Sequence, residues 1–438
     1  MSGRLHLVDS AAATSTQAVW TLLDRPVQLP LDRTRAEPDL GVGEDLEEHL
    51  DRLGHRPGAT GRHGDALIET LNEIALTGRG GGHFPAARKW QTVLRAGGGG
   101  TVVANAAEGE PASGKDAALV TRRPHLVLDG LVSAGEAVGA SGLVVWLHAG
   151  DHAAHRAMTR ALGEREAAGF AEAGVRIVPA PDHYLAGESS AILRSLAGGP
   201  ALPQFRRTPA AVDGLHGRPA LVHNVETLAR VALAARLGSG GYRPTTLLTV
   251  VTGDRRTVVE AEPSWSLSDA LTAAGEGATD DVGALLLGGY GGAWLPWSQA
   301  AGLAVHEPSA RAAGISLGAG VVAPLPREAC GLTYTAAIAG YLASSSARQC
   351  GPCLFGLPAI AGVVALLATG QAGRADLRRL DRFTAQVAGR GGCHHPDGAV
   401  RLVLSALSVF ASDVDAHRRG RPCPAATDRV LFPLPAMP

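Results

Sequence analysis

The sequence predicts an α/β fold, followed by a small β-rich unit and a C-terminal bundle of helices. Three changes of pattern along its 438 residues support this prediction. Apolar, β-branched segments alternate with helical patterns as far as about residue 181, the chain becomes β-rich after about 240, and it becomes helical from about 323. Alternation of this kind is typical of a parallel sheet with helices packed on its faces.

The α/β region is predicted to cover residues 61–240. Its buried strands are expected at TVVANA (101–106), GLVVWLHAG (142–150) and VRIVPAP (175–181), since their apolar, β-branched character is typical of parallel strands covered on both faces. Helical patterns lie between these strands at Pro124–Val138 and Asp151–Ala168. An amphipathic helix from about residue 64 leads into a cluster of glycines.

The remaining units follow from shifts in composition. Residues 1–60 are rich in proline, arginine and acidic residues and indicate an N-terminal arm with one helix at Gly43–Leu53. Residues 241–322 form the β-rich unit, with one helix at Ser266–Ala274, and residues 323–420 form the bundle. Its four helices are predicted at Arg327–Ala343, Leu357–Ala368, Ala375–Val387 and Ala399–Ala411. Residues 421–438 are expected to be an irregular tail.

Composition excludes several classes of function. The apolar fraction of 45% indicates a packed interior, and a formal charge of −1 gives no reason to expect nucleic acid as a partner. No secretory leader is recognised, and the longest apolar stretches, such as Ala359–Ala368, are too short to cross a bilayer. We therefore expect a soluble, cytoplasmic protein without direct membrane insertion. Any role at a membrane would need a partner.

A glycine cluster, Gly78-Arg79-Gly80-Gly81-Gly82-His83-Phe84-Pro85, is the first candidate site, and Lys89-Trp90 follow it. Glycines let backbone N–H groups approach an anionic or flat ligand closely, and Arg79 and Lys89 would add positive charge. The alternative is a flexible surface turn. Only two lysines occur among the 40 basic residues, Lys89 and Lys115, and both lie in motif-like segments.

Three further segments carry polar groups at the ends of predicted elements. Asn105-Ala106-Ala107-Glu108-Gly109-Glu110 follows a buried strand, where ligands of α/β sheets bind. Tyr184-Leu185-Ala186-Gly187-Glu188-Ser189-Ser190 opens a helix and is suited to anion binding. Val222-His223-Asn224-Val225-Glu226-Thr227 is the third. Their alternatives are a solvated loop, an ordinary helix cap and a helix entry, respectively.

Taken together and in this order, the segments GRGGGHFPAARKW, NAAEGEP with Lys115-Asp116, YLAGESSAIL and VHNVETLA resemble the flavoprotein subunit of respiratory complex I. They also resemble its relatives in NAD-reducing hydrogenases and formate dehydrogenases. The resemblance covers about residues 60 to 420. It implies a Rossmann-like FMN-binding domain, a ubiquitin-like β-grasp (SLBB) domain and a four-helix iron–sulfur bundle.

The resemblance also implies cofactors and site residues. FMN would convert the two-electron hydride of NAD(P)H into single electrons for an iron–sulfur centre. No side chain is expected to act as a catalytic acid or base. Transferred motif by motif, the FMN cradle would consist of Arg79, Gly80, Gly81, Lys89, Asn105, Glu108, Tyr184, Gly187, Glu188, Asn224 and Thr227. The nucleotide would lie near Phe84 and Glu110.

The iron–sulfur site departs from the family pattern. The family carries C-x-x-C-x-x-C and a distant fourth cysteine, whereas here Cys350, Cys353 and Cys393 match three positions and Ala347 replaces the first ligand. Three thiolates could hold a three-iron cluster, or a 4Fe-4S cluster completed by His394, a serine or a small molecule. Loss of the cluster is the other alternative. Cys330 matches a family cysteine that is not a ligand.

The donor site departs as well. Ser189 stands where the family has a second glutamate, and an acidic residue there would repel the extra phosphate of NADPH. Pro209 and Thr92 replace expected aromatic residues, and Ala107 replaces an aspartate. The leading hypothesis is an FMN-dependent NAD(P)H dehydrogenase subunit that passes electrons to other redox subunits or ferredoxin-like proteins. The alternative is a degenerate relay or scaffold subunit that no longer binds nicotinamide.

Overall fold

The computed structural model describes residues 21–30, 43–170, 174–253, 255–275, 279–421 and 423. Much of the predicted N-terminal arm (1–20 and 31–42) and most of the predicted tail (422 and 424–438) lie outside the described residues. Within them the strands are β1 Val27–Pro30, β2 Thr101–Asn105, β3 Gly142–His148, β4 Val175–Ala180, β5 Ala220–Asn224, β6 Thr246–Thr252, β7 Arg255–Ala261, β8 Val282–Leu287, β9 Ala293–Pro296 and β10 Val321–Pro326.

The helices of the described residues fall into two groups. The first group accompanies the two sheets: α1 Leu46–Leu53, α2 Arg62–Glu73, α3 Ala86–Arg95, α4 Lys115–Arg122, α5 Pro124–Val138, α6 His152–Ala167, α7 Ser189–Leu196, α8 Val225–Gly241, α9 Leu267–Ala273, α10 Trp297–Ala300 and α11 Glu307–Ala312. The second group forms the C-terminal region: α12 Gly331–Ser344, a π-helical turn Pro352–Gly356, α13 Leu357–Ala368, α14 Arg374–Val387, α15 His395–Val409 and α16 Ala411–Arg418.

The first sheet confirms the predicted α/β architecture. Its four strands are parallel, in the order β4-β3-β2-β5. Both faces are covered: Val102 and Ala104 of β2 belong to the main core with α5 and α8, whereas Val103 packs on the opposite side with Ile192 of α7. This two-sided burial explains the continuous apolar character of β2 and β3. It also leaves their ends as the place where polar side chains collect. Strand β4, expected to be buried, is instead mostly half-buried or exposed because it lies at the edge of the sheet.

The second sheet is mixed and combines distant parts of the chain, in the order β1-β7-β6-β10-β8-β9. Strand β1 pairs antiparallel with β7, with Val27 opposite Val258. Strand β10 lies centrally although it contains two prolines. It pairs with β6 only at Val321 and Val322, so Pro324 faces no ladder partner on that side.

The C-terminal region is helical, as predicted. Helices α12 to α16 enclose an apolar core that includes Ile338, Val364, Leu380 and Leu402. Helix α13 has its predicted bounds, and the last predicted helix, Ala399–Ala411, corresponds to α15. A further helix that was not predicted, α16, follows after Phe410. Among the described helices, none has both the length and the apolar character needed to cross a lipid bilayer.

Candidate functional site

The topology of the first sheet points to a ligand site at the carboxyl ends of β2 and β5. From β2 the chain moves to β3 on one side, whereas β5 joins β2 on the other side. Such a reversal of strand order opens a crevice at which ligands of α/β proteins bind. The last residues of the two strands, Asn105 and Asn224, are partners in the register. Two predicted site residues that are far apart in the sequence therefore lie side by side.

The glycine cluster runs past this edge. The backbone N–H of Arg79 donates a hydrogen bond of 2.9 Å to Thr227 Oγ1, near the start of α8. Gly81 has a φ of +92°, a conformation that favours glycine. A side chain at Gly80 would approach Cβ of Asn224 to 3.4 Å. The loop therefore presents bare backbone to the crevice.

A buried cluster of charges adjoins Asn224. Lys115 Nζ contacts Asp116 Oδ1 at 2.7 Å, Glu226 Oε2 at 3.1 Å and Asn224 Oδ1 at 3.3 Å. Burial alone would lower the pKa of Lys115, but the carboxylates of Asp116, Glu226 and Glu108 raise it overall. Lys115 is thus held charged, and its hydrogen bond fixes the orientation of the Asn224 side chain.

Two other cations of the site have no such carboxylate partner. In the described part of the chain, Lys89 Nζ donates only to the backbone carbonyl of Val222, at 2.5 Å, and the Arg79 side chain only to Thr246 Oγ1, at 3.4 Å. The Arg79 Nε atom is buried without a hydrogen-bond partner. Burial lowers the pKa of Lys89 to about 8. Both side chains are only partly exposed, and cations withdrawn from water are normally paired, so this arrangement calls for an anionic ligand.

The loop after β2 is held by its own carboxylates. Glu108 accepts the hydroxyl of Ser113 and the backbone N–H of Asp116, at 3.3 Å from the latter. Glu110 accepts the N–H of Tyr290 at 2.9 Å and the hydroxyl of Tyr184 at 3.4 Å. These two residues shape the wall of the crevice.

The predicted segment from Tyr184 to Ser190, at the start of α7, forms the other wall of the crevice. The amide of Asn105 donates to the carbonyl of Gly187 at 2.9 Å, and a side chain at Gly187 would come within 2.5 Å of the Ala107 carbonyl. Glu188 caps α7 and accepts the N–H groups of Ser190 and Ala191 at 2.8 and 3.0 Å. Phe84, the last residue before the proline of the glycine cluster, is 51% exposed.

Several residues of the site were not among the predicted ligands. Lys115 and Glu226 lie within the quoted motifs, and the scarcity of lysine was a signal for the first. His83 also lies within a quoted motif but was given no role: it is buried, has a φ of +46°, and its Nε2 lies 3.3 Å from Glu307 Oε2. Burial lowers its pKa, against the opposing effect of Glu307. Nothing in the sequence links residue 83 to residue 307.

The three predicted cluster cysteines, Cys350, Cys353 and Cys393, lie near enough to influence one another's charge. Burial, followed by the charge and hydrogen bond of Cys350 and the charge of Cys393, raises the pKa of Cys353 to about 12. Burial also raises the pKa of Cys393, and the charges of Glu188 and Cys350 add to this effect. The cysteines therefore lie beside the wall of the crevice. Three converging thiols, whose charged forms repel one another, suit a cationic centre.

Tyr184 connects the two sites. Its ring packs edge-on against Tyr341 of α12, with centroids 5.9 Å apart, and against His395 of α15 at 5.4 Å. Its hydroxyl faces Glu110 on the other side. The crevice and the cysteine bundle thus share one wall.

A parallel sheet with a cationic, glycine-lined crevice, next to a bundle of converging cysteines, defines the class of iron–sulfur flavoproteins. Comparisons with known proteins agree. Residues 71–233 match the family model of the Nuo51 FMN-binding domain, and residues 333–417 match the iron–sulfur binding region of NADH-ubiquinone oxidoreductase F. The chain belongs to the family of F subunits of NADH-quinone oxidoreductases. The predicted family resemblance and the expected classes of cofactor are thereby confirmed.

Individual relatives show the extent of the match. The chain is 30% identical over 381 residues to the F 2 subunit of the NADH-quinone oxidoreductase of Rhizobium meliloti (strain 1021), and the match covers 82% of this chain and 90% of that protein. It is 27% identical to the F subunit of the Streptomyces coelicolor enzyme, over 82% of this chain and 84% of the relative. A crystal structure of an NAD⁺-reducing [NiFe]-hydrogenase in the H₂-reduced state is similar with a TM-score of 0.74 and 26% identity. That likeness covers 84% of this chain and 66% of the hydrogenase chain.

Proposed function

We propose that this chain is the FMN-dependent NADH-oxidising subunit of an oxidoreductase and that it passes electrons through an iron–sulfur centre to a partner. The observation that carries the proposal is that two half-buried cations, Lys89 and Arg79, make no contact with a carboxylate near the switch point of the sheet. Their need for an anion fits the phosphate of FMN. The same chain holds three clustered cysteines next to that crevice.

The residues of the crevice have distinct tasks in this proposal. Lys89 and Arg79 bind the phosphate, and the glycine loop donates backbone N–H groups to it. Asn105 and Asn224 offer amides to the polar edge of the ring, and the Lys115–Glu226 pair keeps Asn224 in place. When bound, FMN supplies the chemistry that no side chain offers, since it accepts a hydride and releases electrons singly. The cradle is completed by Gly80, Gly81, Glu108, Tyr184, Gly187, Glu188 and Thr227.

The nucleotide is proposed to enter at the exposed mouth of the crevice. Phe84 offers an exposed aromatic ring there, and Glu110 is the second residue proposed to lie near the nucleotide. A second exposed aromatic ring, Phe205, is 72% exposed in a loop fastened to α7, where the Gln204 N–H donates to Ser190 Oγ at 2.9 Å. Binding of the nucleotide depends on few stacking contacts, because aromatic or charged side chains are missing at three positions expected from the family, Pro209, Thr92 and Ala107.

The iron–sulfur centre is proposed to use Cys350, Cys353 and Cys393. Ala347 offers no ligand atom, and the side chain of His394 is fully exposed, with Nδ1 3.4 Å from Asp397 Oδ2. A fully exposed imidazole does not face the buried thiols, so a small molecule or a neighbouring serine is the better candidate for the fourth ligand.

The wider setting is proposed from the relatives. They are named as subunits, and by analogy this chain would deliver electrons to other redox subunits or a ferredoxin-like protein, in the cytoplasm or at the periphery of a membrane complex. The proposed units are the α/β domain at 61–240, an SLBB-like domain at 241–322 and the iron–sulfur bundle at 323–420. Strand β10, Val321–Pro326, crosses the boundary between the SLBB-like domain and the iron–sulfur bundle. The last strand of the second sheet therefore leads directly into the bundle.

An anaerobic titration of the purified protein tests the proposal. We expect a flavin absorption with about one FMN per chain that bleaches on addition of NADH. An anaerobic sample without nucleotide serves as the control. Yellow protein that NADH and NADPH both fail to bleach, while a chemical reductant bleaches it, would contradict the proposal and support the relay without a nicotinamide site.

The replacement of the family glutamate by Ser189 is expected to relax the choice of nucleotide. Ser189 is the first residue of α7 and is only partly buried. In a Ser189→Glu variant the added charge would repel the extra phosphate of NADPH, and kcat/KM for NADPH should fall about tenfold relative to NADH, since a like charge nearby costs about 1–2 kcal/mol. Steady-state kinetics with both nucleotides measures this ratio.

The same helix provides the control for this substitution. Ser195→Glu adds an equal charge at the other end of α7 and should leave the ratio unchanged. An acidic residue in the first turn favours the helix, so Ser189→Glu is not expected to disturb folding. An unchanged ratio in Ser189→Glu would mean that α7 does not face the nucleotide phosphate.

A further inference from the structure

Two cysteines and a histidine form a second cluster, away from the three cysteines assigned to the iron–sulfur centre. Cys330 precedes α12, His417 lies in the last turn of α16, and Cys423 follows six residues later. Their ligand atoms all lie within 4.8 Å of one another. The separations are 3.6 Å from Cys330 Sγ to His417 Nε2, 2.9 Å from His417 Nε2 to Cys423 Sγ, and 3.5 Å between the two sulfurs.

Hydrogen bonding determines which nitrogen of His417 faces the thiols as an acceptor. The backbone N–H of Cys423 lies 3.0 Å from His417 Nε2, and a backbone N–H is always a donor. Nε2 therefore accepts, and the proton resides on Nδ1, which donates to the carbonyl of Leu367 at 3.1 Å. This is the tautomer of a metal-ligating histidine, held by a backbone carbonyl behind it.

Two members of the cluster are buried. Cys330 and His417 are each 1% exposed, and Cys423 is partly buried beside them. Burial, together with the hydrogen bond and charge of Cys330 and the charge of Asp413, raises the pKa of the Cys423 thiol to about 12. Asp413 precedes His417 by one helical turn, so it lies on the same face of α16. The Cys423 thiol is thus influenced by the carboxylate of Asp413, and none of these groups carries a positive charge.

The chemistry of the donors indicates one kind of ion. Two sulfurs and one imidazole nitrogen, in a buried setting, are typical of a tetrahedral Zn²⁺ site, whose thiolates are deprotonated by the metal. A carboxylate or a water molecule completes such a site. The matched iron–sulfur region runs from residue 333 to residue 417, so both cysteines lie outside it.

We propose that Cys330, His417 and Cys423 bind a structural Zn²⁺ ion that fastens the end of α16 to the start of α12. The ion replaces the hydrogen bond from the Cys423 N–H at Nε2 and holds these two helices of the bundle together. Its function is independent of flavin and nicotinamide chemistry.

Metal analysis of the whole protein, grown with zinc and iron and purified anaerobically, tests the proposal. About one zinc per chain is expected, with a zinc-edge X-ray absorption spectrum showing two sulfurs near ~2.3 Å and nitrogen or oxygen near ~2.0 Å. This measurement needs no variant. Absence of zinc, or a shell of three sulfurs, would overturn the proposal, since three sulfurs would mean that zinc occupies the other cysteine cluster.

Variants separate the two metal sites. Cys423→Ser and His417→Gln should lower zinc at least about tenfold, as expected when a site loses one of its few ligands, and leave iron and flavin unchanged. The matched variant Cys353→Ser should lose iron and retain zinc. Retention of zinc in Cys423→Ser, or loss of zinc in Cys353→Ser, would overturn the assignment. A disulfide between Cys330 and Cys423, found by mass spectrometry in the anaerobic protein, would do so as well.

Discussion

A Lys89→Met variant is expected to bind FMN about 100-fold more weakly than the wild-type protein. Lys89 Nζ has one neutral partner, the carbonyl of Val222, so the phosphate would be its counter-ion. Removing one member of a buried, hydrogen-bonded charge pair costs roughly 3 kcal/mol, which corresponds to about 100-fold in Kd. Methionine keeps most of the length of the side chain, so the packing of α3 is preserved. Fluorescence titration of flavin-free protein with FMN measures the change.

The pH dependence of binding has a definite sign. Burial lowers the pKa of Lys89 from 10.5 to about 8 in the folded, unliganded protein. A bound phosphate favours the ammonium form, so binding takes up a proton above this pH, and the affinity of the wild type should fall as the pH rises from about 8 to about 9.5. Lys89→Met should lack this dependence.

The stability of the unliganded protein should change in the opposite direction. Between pH 8 and 10.5 the unfolded lysine holds a proton that the folded one has lost, so the free energy of unfolding rises with pH across this window. Arg88→Met, at the exposed neighbouring position, is the matched control and should alter neither property. Equal FMN affinity in Lys89→Met and Arg88→Met would refute the phosphate assignment.

The order of the main elements was predictable because burial on both sides leaves a strong trace in the sequence. Continuous apolar or regularly periodic segments of the sequence correspond to strands β2, β3 and β4 and to helices α5 and α13. Strand β5 was not predicted as a strand, because the short ALVHN segment follows a proline and ends in polar residues; residues 222–227 were read as a ligand-binding motif, with a helix entry as the alternative. Strand β10 was missed since its prolines argue against a central strand, and only its limited pairing with β6 allows them.

A Cys353→Ser variant is expected to lose the iron–sulfur centre and keep the flavin. Cys353 is the most buried of the three cysteines and interacts with both of the others. With only three thiolates available, a cluster has no spare ligand, so iron should fall from about three or four per chain to below about 0.5. Iron and acid-labile sulfide assays, together with the visible spectrum after NADH addition, measure both effects.

Flavin chemistry provides the internal control for this variant. Bleaching by NADH should persist in Cys353→Ser, because the cysteine lies in the bundle and not in the crevice, whereas reduction of a ferredoxin-like acceptor should be lost. The corresponding substitution Cys423→Ser should retain iron. Full iron content in Cys353→Ser would show that the cluster is bound by other residues.

Candidate residues of the site could be named from the sequence, but the electrostatic contacts between them could not. Arg79, Asn105, Asn224 and Thr227 were identified by resemblance, and the register of β2 and β5 brings the two asparagines together. The ion pair between Lys115 and Glu226 depends on a tertiary contact between α4 and α8, which no local pattern indicates. The same is true of the second cysteine cluster, whose members belong to helices that meet only in the folded bundle.

Strand β1 has a consequence for where the chain can be shortened. The backbone N–H groups of Leu22 and Leu23 donate to Glu260 at 2.7 and 3.0 Å, and Val27–Pro30 completes the edge of β7. A fragment starting at residue 71, where the flavin-domain match begins, would remove the two N–H donors of the Glu260 carboxylate. It would also leave the edge of β7 with unpaired backbone groups. The autonomous folding unit therefore extends at least to Leu22, well upstream of the residues that match the flavin-domain model.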